Sequence, residues 1–143
     1  MESTQYPKDF WRGIPNKDFI SNGVVLPSAF QFDDEIRSDG YKELSVNWND
    51  NDESLEIALS QKKDNGKIQF PGGVAQLDLT NVELVLSLHI ANKSFSYERQ
   101  PIDGNPYHGN LLVLGSVNKQ IRSLISSGLA LVASNHIILQ NNE

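Results

Sequence analysis

The stretch Leu44-Ser45-Val46-Asn47-Trp48, residues 44–48, alternates apolar and polar side chains. Because successive side chains of a β-strand point to opposite faces of a sheet, this alternation predicts a half-buried strand with Leu44, Val46 and Trp48 on one face. The segments on either side of it divide into further short strands and a few helices.

Two segments have the pattern of an amphipathic helix. The first follows Asn49, where Asp50 and Glu53 stand at the spacing of a capping box, and it is predicted to end by Gly66. Ser116 is predicted to cap the second helix. The apolar stripes at helical spacing are Leu55, Ala58 and Leu59 in the first helix, and Ile121, Leu124 and Ile125 in the second.

The remaining apolar segments are short and predict strands. Pro27 cannot donate to a ladder, so residues 24–26 and 29–32 are predicted as two short edge pieces. Residues 82–90 do not settle on one period and are interpreted as a helical turn followed by a strand. Further strands are predicted at residues 67–70, 74–79, 94–97 and 111–114. These elements do not alternate strictly, which favours an α+β fold: one compact domain with a mixed or antiparallel sheet of about six short strands and two or three helices.

Length and composition limit the class of protein. The chain has 143 residues, which is enough for one domain with a real core, and we place a polar lead-in at residues 1–9 and a single globular domain at residues 10–140. The absence of cysteine excludes disulfides and thiol chemistry. No apolar run is long enough for a membrane span, and the polar start is unlike a signal peptide, so a soluble, cytoplasmic protein without membrane contact is expected.

Several function classes lack their signature in this chain. The net charge of −6 opposes binding to phosphate backbones, so nucleic acid is not an expected partner. The fingerprints of dinucleotide-binding, P-loop, zincin and serine-hydrolase sites are absent, which leaves no expected cofactor. The three histidines have no ligand-pair spacing and the acidic segment at residues 47–53 does not fit a calcium loop, so no metal site is predicted.

The loop at residues 100–110 contains several helix and strand breakers and delivers one histidine to a buried strand. His108 is a candidate general acid or base, because an imidazole can give and take a proton at neutral pH. Asp103 or Asn105 would orient its ring. In the alternative interpretation, Asn105 satisfies backbone groups of the loop, and His108 packs at the strand end with one ring nitrogen bonded to a carbonyl.

A second candidate set lies near the start of the chain. Arg12, beside Gly13, can bind a phosphate or carboxylate with two parallel hydrogen bonds, and Trp11 offers a stacking face next to it. The alternative is that Arg12 pairs with one of the eighteen acidic residues and Trp11 fills the core.

Three segments together resemble a group of small bacterial proteins of unknown function. The segments are residues 27–30, residues 44–48 and residues 103–110, and their order follows an S-A-F … L-S-V … N-P-x-H pattern over residues 11–115. Gly109 stands where those proteins more often have alanine. The resemblance implies no activity, but it directs attention to Ser28, Phe30, Ser45, Asn105, Pro106 and His108.

A weaker resemblance is to ADP-ribosyltransferase-like proteins. In those proteins an early strand carries an arginine or histidine beside glycine and a later strand carries a serine, and Arg12-Gly13 and Ser45 match those positions. The resemblance implies that Arg12 would hold a nicotinamide dinucleotide, and it makes Ser45 a predicted ligand-binding residue. Glu98 would be the positional counterpart of the catalytic glutamate, without the flanking pattern of that family.

Two functions from different classes remain. The first is a protein-binding module, because an acidic domain can mask a basic partner. Such a module would belong to a bacterial defence, toxin–immunity or mobile-element system. The second is an enzyme in which His108 acts as acid or base and Arg12 holds an anionic substrate. The geometry that separates them is whether Arg12, Ser45 and His108 meet in one pocket.

Overall fold

The alternating stretch at residues 44–48 lies at the end of an eight-residue strand in a six-stranded sheet. The computed structural model of the protein describes residues 8–138. The helices in that range are α1 (Asp52–Ser60), α2 (Leu79–His89) and α3 (Lys119–Val132). The strands are β1 (Asp9–Gly13), β2 (Ile20–Ser21), β3 (Val24–Val25), β4 (Tyr41–Trp48), β5 (Val74–Asp78), β6 (Phe95–Arg99), β7 (His108–Leu114) and β8 (Ser134–Ile137).

The main sheet has the order β6-β7-β4-β1-β5-β8, and every neighbouring pair in it is antiparallel. This confirms the predicted α+β class with about six strands and three helices. The prediction allowed a mixed or an antiparallel sheet, and the sheet is antiparallel. The strands β2 and β3 form a separate hairpin. Asn22 and Gly23 both have positive φ at its turn, as a tight two-residue hairpin loop requires.

Helices cover both faces of the sheet, but unequally. Phe10 and Trp11 are consecutive in β1, so their side chains point to opposite faces. Phe10 belongs to the large core, which also contains Val85 of α2 and Leu129 of α3. Trp11 belongs to a small cluster with Ala58 of α1. The α1 face of the sheet is therefore thinly covered, and polar side chains of the neighbouring strands lie on it.

Three predicted elements are wrong in type. Residues 27–30 form a 3-10 turn, because Pro27 occupies its first position, where the missing N–H is not needed. Residues 82–90 lie almost entirely in α2, whose many apolar residues hide the helical period. Residues 67–70 make only an isolated bridge between Lys62 and Ile68.

Boundaries also differ from the prediction. The side chain of Asn51, rather than Asp50, caps α1, and that of Asn118, rather than Ser116, caps α3. Asp9 already belongs to β1, so the sheet begins within the predicted lead-in. The rest of that lead-in apart from Lys8, and the last residues of the predicted domain, 139–140, lie outside the described residues.

Candidate functional site

A cavity of about 280 Å³ opens on the α1 face of the sheet. Its floor includes a row of three side chains from adjacent strands, since Asn47 of β4 pairs with Trp11 on one side and with His108 on the other. Residues paired directly across strands share a face. The lining residues are Trp11, Arg12, Gly13, Pro15, Ser45, Val46, Asn47, Ala58, Gln61, Gln69, Phe70, Ile102, Asn105 and His108.

The cavity exists because β1 and β4 part from each other. Their pairing ends at Trp11 and Asn47, whereas the pairing of β1 with β5 continues to Gly13. The carbonyl of Ser45 would have faced β1 if the ladder had continued. Arg12 replaces the missing backbone donor: its Nη1 group donates to the Ser45 carbonyl at 2.9 Å, and its Nε group donates to the Ala29 carbonyl at 2.8 Å.

Arg12 is the one permanently charged side chain among the described residues that line the cavity, and no carboxylate is among them. It forms no ion pair with any residue in the range 8–138. A guanidinium has five N–H donors, so three remain after the two carbonyl contacts. Burial lowers the pKa of Arg12 to about 10 and the charge of Asp33 opposes this effect, so the side chain stays positive at neutral pH.

Trp11 adds a second unengaged donor. Trp11 is only 6% exposed, and its indole N–H has no hydrogen-bond partner among the described residues. A buried donor without a partner costs about 1–3 kcal/mol, and in native structures such a group usually meets a water or a ligand. Trp11 is one of the residues that line the cavity.

A chain of side-chain amides fixes one wall. Asn105, 1% exposed, donates to Asn47 Oδ1 at 2.8 Å and to Gln61 Oε1 at 3.2 Å. Asn47 in turn donates to the Ser54 carbonyl at 3.1 Å, which ties β4 to α1. The Asn105 oxygen accepts from the backbone N–H of Tyr107 at 3.1 Å. Asn105 therefore holds the loop at residues 100–107 against α1, and all its hydrogen-bonding atoms are in use.

His108 is held by a backbone carbonyl. Its Nδ1 atom lies 2.9 Å from the Gln100 carbonyl oxygen. The prediction that Asp103 or Asn105 orients the ring is therefore wrong: the Asn105 amide is engaged elsewhere, and Asp103 is exposed and does not line the cavity. The carbonyl contact is the one expected if His108 packs at the strand end, although the ring also lines the cavity.

Five of the six predicted site residues line this one cavity, namely Trp11, Arg12, Ser45, Asn105 and His108. Their proposed catalytic and binding roles remain predictions. Ser45 contributes its carbonyl to Arg12, while its hydroxyl donates to Asn110 Oδ1 at 3.3 Å. Asp103 is excluded because Gly104, with a φ of +80°, turns the loop between it and Asn105.

The sequence did not single out the other lining residues. Asn47 occupies a polar position of a half-buried strand, and such a position is usually solvated. Gln61, Gln69 and Phe70 belong to the end of α1 and the loop after it, and only the folding of that loop over Gly13 brings them to the cavity. A Cβ at residue 13 would lie 2.5 Å from the Phe70 ring, so glycine permits this close approach.

A separate polar network lies next to the cavity on the same face of β6 and β7. Arg37 donates to both carboxylate oxygens of Glu98, at 2.7 and 2.9 Å, and Asn110 donates to the same carboxylate at 2.7 Å. The hydrogen bond from Arg37 is the main reason that the pKa of Glu98 is lowered. Glu98, the positional counterpart of the catalytic glutamate of ADP-ribosyltransferase-like proteins, does not line the cavity.

Residues 8–138 contain neither a metal-binding cluster nor a membrane-spanning helix. No group of three or more His, Asp or Glu side chains in that range could hold a metal ion. None of the helices in the same range has the length and hydropathy needed to cross a membrane. Comparisons of the chain with protein-family models, with curated proteins and with solved structures found no match. The function is therefore inferred from the geometry of the cavity.

Proposed function

We propose that this domain binds a small organic anion in the cavity on the α1 face, with Arg12 as the counter-ion. The observation that carries the proposal is the state of Arg12. Its guanidinium is anchored by two carbonyls, keeps three N–H donors and meets no carboxylate among the lining residues. A guanidinium that is partly withdrawn from water and contacts no carboxylate loses solvation, and a bound anion offsets that loss.

The lining also indicates what the rest of the ligand is like. Trp11, Ala58, Phe70 and Ile102 supply apolar surface, and two of these side chains are aromatic. At about 280 Å³ the cavity is near the lower limit of small-molecule sites. A compact anion with a flat apolar body fits both features.

Benzoate and benzamide form a matched pair of probes for this proposal. They share size and ring, but only benzoate is charged. Titration calorimetry on the full chain should show benzoate binding at least about tenfold more tightly than benzamide, because hydrogen bonds to charged groups are the stronger ones. Equal affinities, or no binding of benzoate, would overturn the proposal. This comparison needs no variant, so it does not depend on how Arg12 substitutions fold.

A variant pair then locates the charge. Arg12→Gln should remove the preference for benzoate over benzamide. Arg122→Gln is the control, because Arg122 also donates to a backbone carbonyl, that of Val117, but lies outside this cavity. Circular dichroism should confirm that both variants are folded before they are titrated. Retention of the full preference in Arg12→Gln would show that another group binds the anion.

A protein-binding module in the cytoplasm is the second candidate, and a different surface favours it. Four leucines on α2 and α3 are at least half exposed. On α2 the two are four residues apart and on α3 they are seven apart, so each pair shares one side of its helix. Exposed apolar patches of this kind are typical of interaction surfaces. The leucines are Leu84, Leu88, Leu124 and Leu131.

This candidate has its own test. The tagged full chain should recover a stoichiometric protein partner at low salt, and Leu88→Ser with Leu131→Ser should abolish recovery. Charge reversal of residues 33–35 should weaken the contact if the partner is basic. Failure to recover a partner, or recovery unaffected by either set of changes, would count against a binding role for these surfaces.

A further inference from the structure

We infer that the ligand of this cavity is a hydroxylated organic acid, whose hydroxyl group donates a hydrogen bond to Nε2 of His108. The inference rests on the proposed anion site and names the chemical class of its ligand. It makes His108 a specificity-determining residue. The inference follows from two observations. A neutral imidazole carries only one N–H proton, and the Gln100 carbonyl holds the ring of His108 in place.

The Gln100 carbonyl fixes the tautomer of His108. A carbonyl oxygen can only accept, so the 2.9 Å contact with Nδ1 requires the proton to be on Nδ1. A neutral imidazole has a single N–H, and Nε2 is then left with a lone pair. No described residue donates to Nε2, and His108 lines the cavity. The ring therefore presents an acceptor that a ligand can satisfy.

The neighbouring side-chain amide oxygens on this wall each already have a donor. Asn47 Oδ1 and Gln61 Oε1 already accept from Asn105, and the Asn105 oxygen accepts from Tyr107. Gln69 also lines the cavity, but its amide can turn to donate or to accept and so does not select a ligand. Nε2 of His108 is thus an acceptor of fixed type that has no donor among the described residues.

A hydroxyl suits this position better than an amine. An aliphatic amine is protonated at neutral pH and would bring a second positive charge into a small cavity that already holds Arg12. A hydroxyl donates without adding charge. The cavity therefore offers cationic and N–H donors to one group of the ligand and a neutral acceptor to another, which is the complement of a hydroxy acid.

Hydroxybenzoates and methoxybenzoates test this inference, because methylation removes the donor and keeps the oxygen. With the full chain, at least one of 3-hydroxybenzoate and 4-hydroxybenzoate should bind about threefold to tenfold more tightly than its methoxy counterpart. In His108→Phe this ratio should fall to about one while benzoate still binds. His136→Phe is the control, since His136 lies outside the cavity and its ring contacts the Gly72 carbonyl.

The outcomes separate this inference from the anion site itself. If benzoate binds through Arg12 but neither hydroxy compound is favoured over its methoxy counterpart, the inference fails and the anion site stands. If benzoate does not bind at all, both fail. If the hydroxyl preference survives in His108→Phe, His108 is not the acceptor.

Nitrogen NMR gives an independent readout of the tautomer. With ¹⁵N-labelled histidine at mildly alkaline pH, the proton of His108 should be on Nδ1. His136 is an internal control with the opposite arrangement, because its Nε2 atom lies 2.7 Å from the Gly72 carbonyl. A proton on Nε2 of His108 would overturn the inference without any ligand being added.

Discussion

Arg12 donates from Nη1 to the carbonyl of Ser45, at 2.9 Å, at the point where β1 and β4 separate. One side chain thereby replaces a backbone hydrogen bond of the sheet and places a positive charge at the edge of a cavity. The same contact serves stability and the proposed function. Substitutions at Arg12 should therefore change both, and the size of each effect can be compared with that of other arginines.

Arg12→Gln should lower the free energy of unfolding by about 2–4 kcal/mol, because the carbonyls of Ala29 and Ser45 both lose a charged donor. Urea denaturation measures this change. Arg122→Gln removes a donor from the Val117 carbonyl alone and should cost about 1 kcal/mol. Equal losses in the two variants would show that Arg12 does not support the separation of β1 and β4.

Asn105→Asp should destabilise the protein by about 3 kcal/mol, although the two side chains have nearly the same shape. Aspartate cannot donate to Asn47 and Gln61, and it would place a carboxylate at a site that is 1% exposed. Asn65→Asp is the control: its oxygen accepts from the Lys67 N–H, which aspartate preserves, and the change should stay within about 0.5 kcal/mol. Thermal unfolding measures the difference. Equal melting temperatures of the two variants would contradict this account.

Glu98 should contribute stability that is lost in acid. Its pKa is lowered mainly by the hydrogen bond from Arg37, so the folded protein holds this proton less tightly than the unfolded chain does. The stabilisation is therefore fully present above the ordinary pKa of the residue, 4.5, and disappears as the pH falls through the lowered value. The stability difference between wild type and Glu98→Gln should shrink from pH 7 to pH 3.

Denaturation at several pH values measures this difference. Glu35→Gln is the control, because Glu35 is exposed. A difference between wild type and Glu98→Gln that is the same at pH 7 and pH 3 would show that the ion pair with Arg37 does not stabilise the fold.

Gly109→Ala should cost about 3 kcal/mol. A Cβ at residue 109 would overlap the indole of Trp48 and the backbone oxygen of Glu98, and neither a buried ring nor the backbone of a hydrogen-bonded strand can move away cheaply. The variant should also change Trp48 fluorescence. Gly104→Ala has open space around its Cβ and should cost only about 1 kcal/mol, from its positive φ. If alanine were tolerated equally well at residue 109, the close packing of β7 on Trp48 would be wrong.

Elements with a clear period could be predicted from the sequence. Residues 44–48 and 94–97 alternate because one face of β4 and β6 packs on the core while the other carries polar groups. The continuous apolar run at residues 111–114 predicts a buried strand and lies in β7. In these segments the burial imposed by the folded structure matches the pattern of apolar residues in the sequence. The pattern alone is therefore enough to predict the strands.

The strand β1 could not be found in this way. It lies near the centre of the sheet, yet its five residues include an arginine and a glycine and do not alternate. Phe10 and Trp11 are both buried because α2 and α3 cover one face and α1 covers the other. The prediction for the α2 segment was wrong for a related reason. Leu84 and Leu88 are apolar but exposed, so the sequence shows no polar side of the helix.

Site residues could be predicted where the residue type itself suggests chemistry. They could not be predicted where only the path of the folded chain brings a residue to the cavity. Arg12, Trp11 and His108 stand out by residue type and all line the cavity. Asp103 is close to His108 in sequence, but the turn at Gly104 leaves it outside. Gln61 and Gln69 reach the cavity through a loop whose path depends on Phe70 packing over Gly13, which no local pattern encodes.

The indole N–H signals of the two tryptophans provide the most direct test of the anion site. Trp11 lines the cavity, whereas Trp48 belongs to the core on the opposite face of the sheet. In a ¹H–¹⁵N spectrum, added benzoate should shift the Trp11 indole signal in a saturable way and leave the Trp48 signal nearly unchanged. If the Trp11 signal does not move up to the solubility limit of benzoate, or if both signals move together, the cavity is not the anion site.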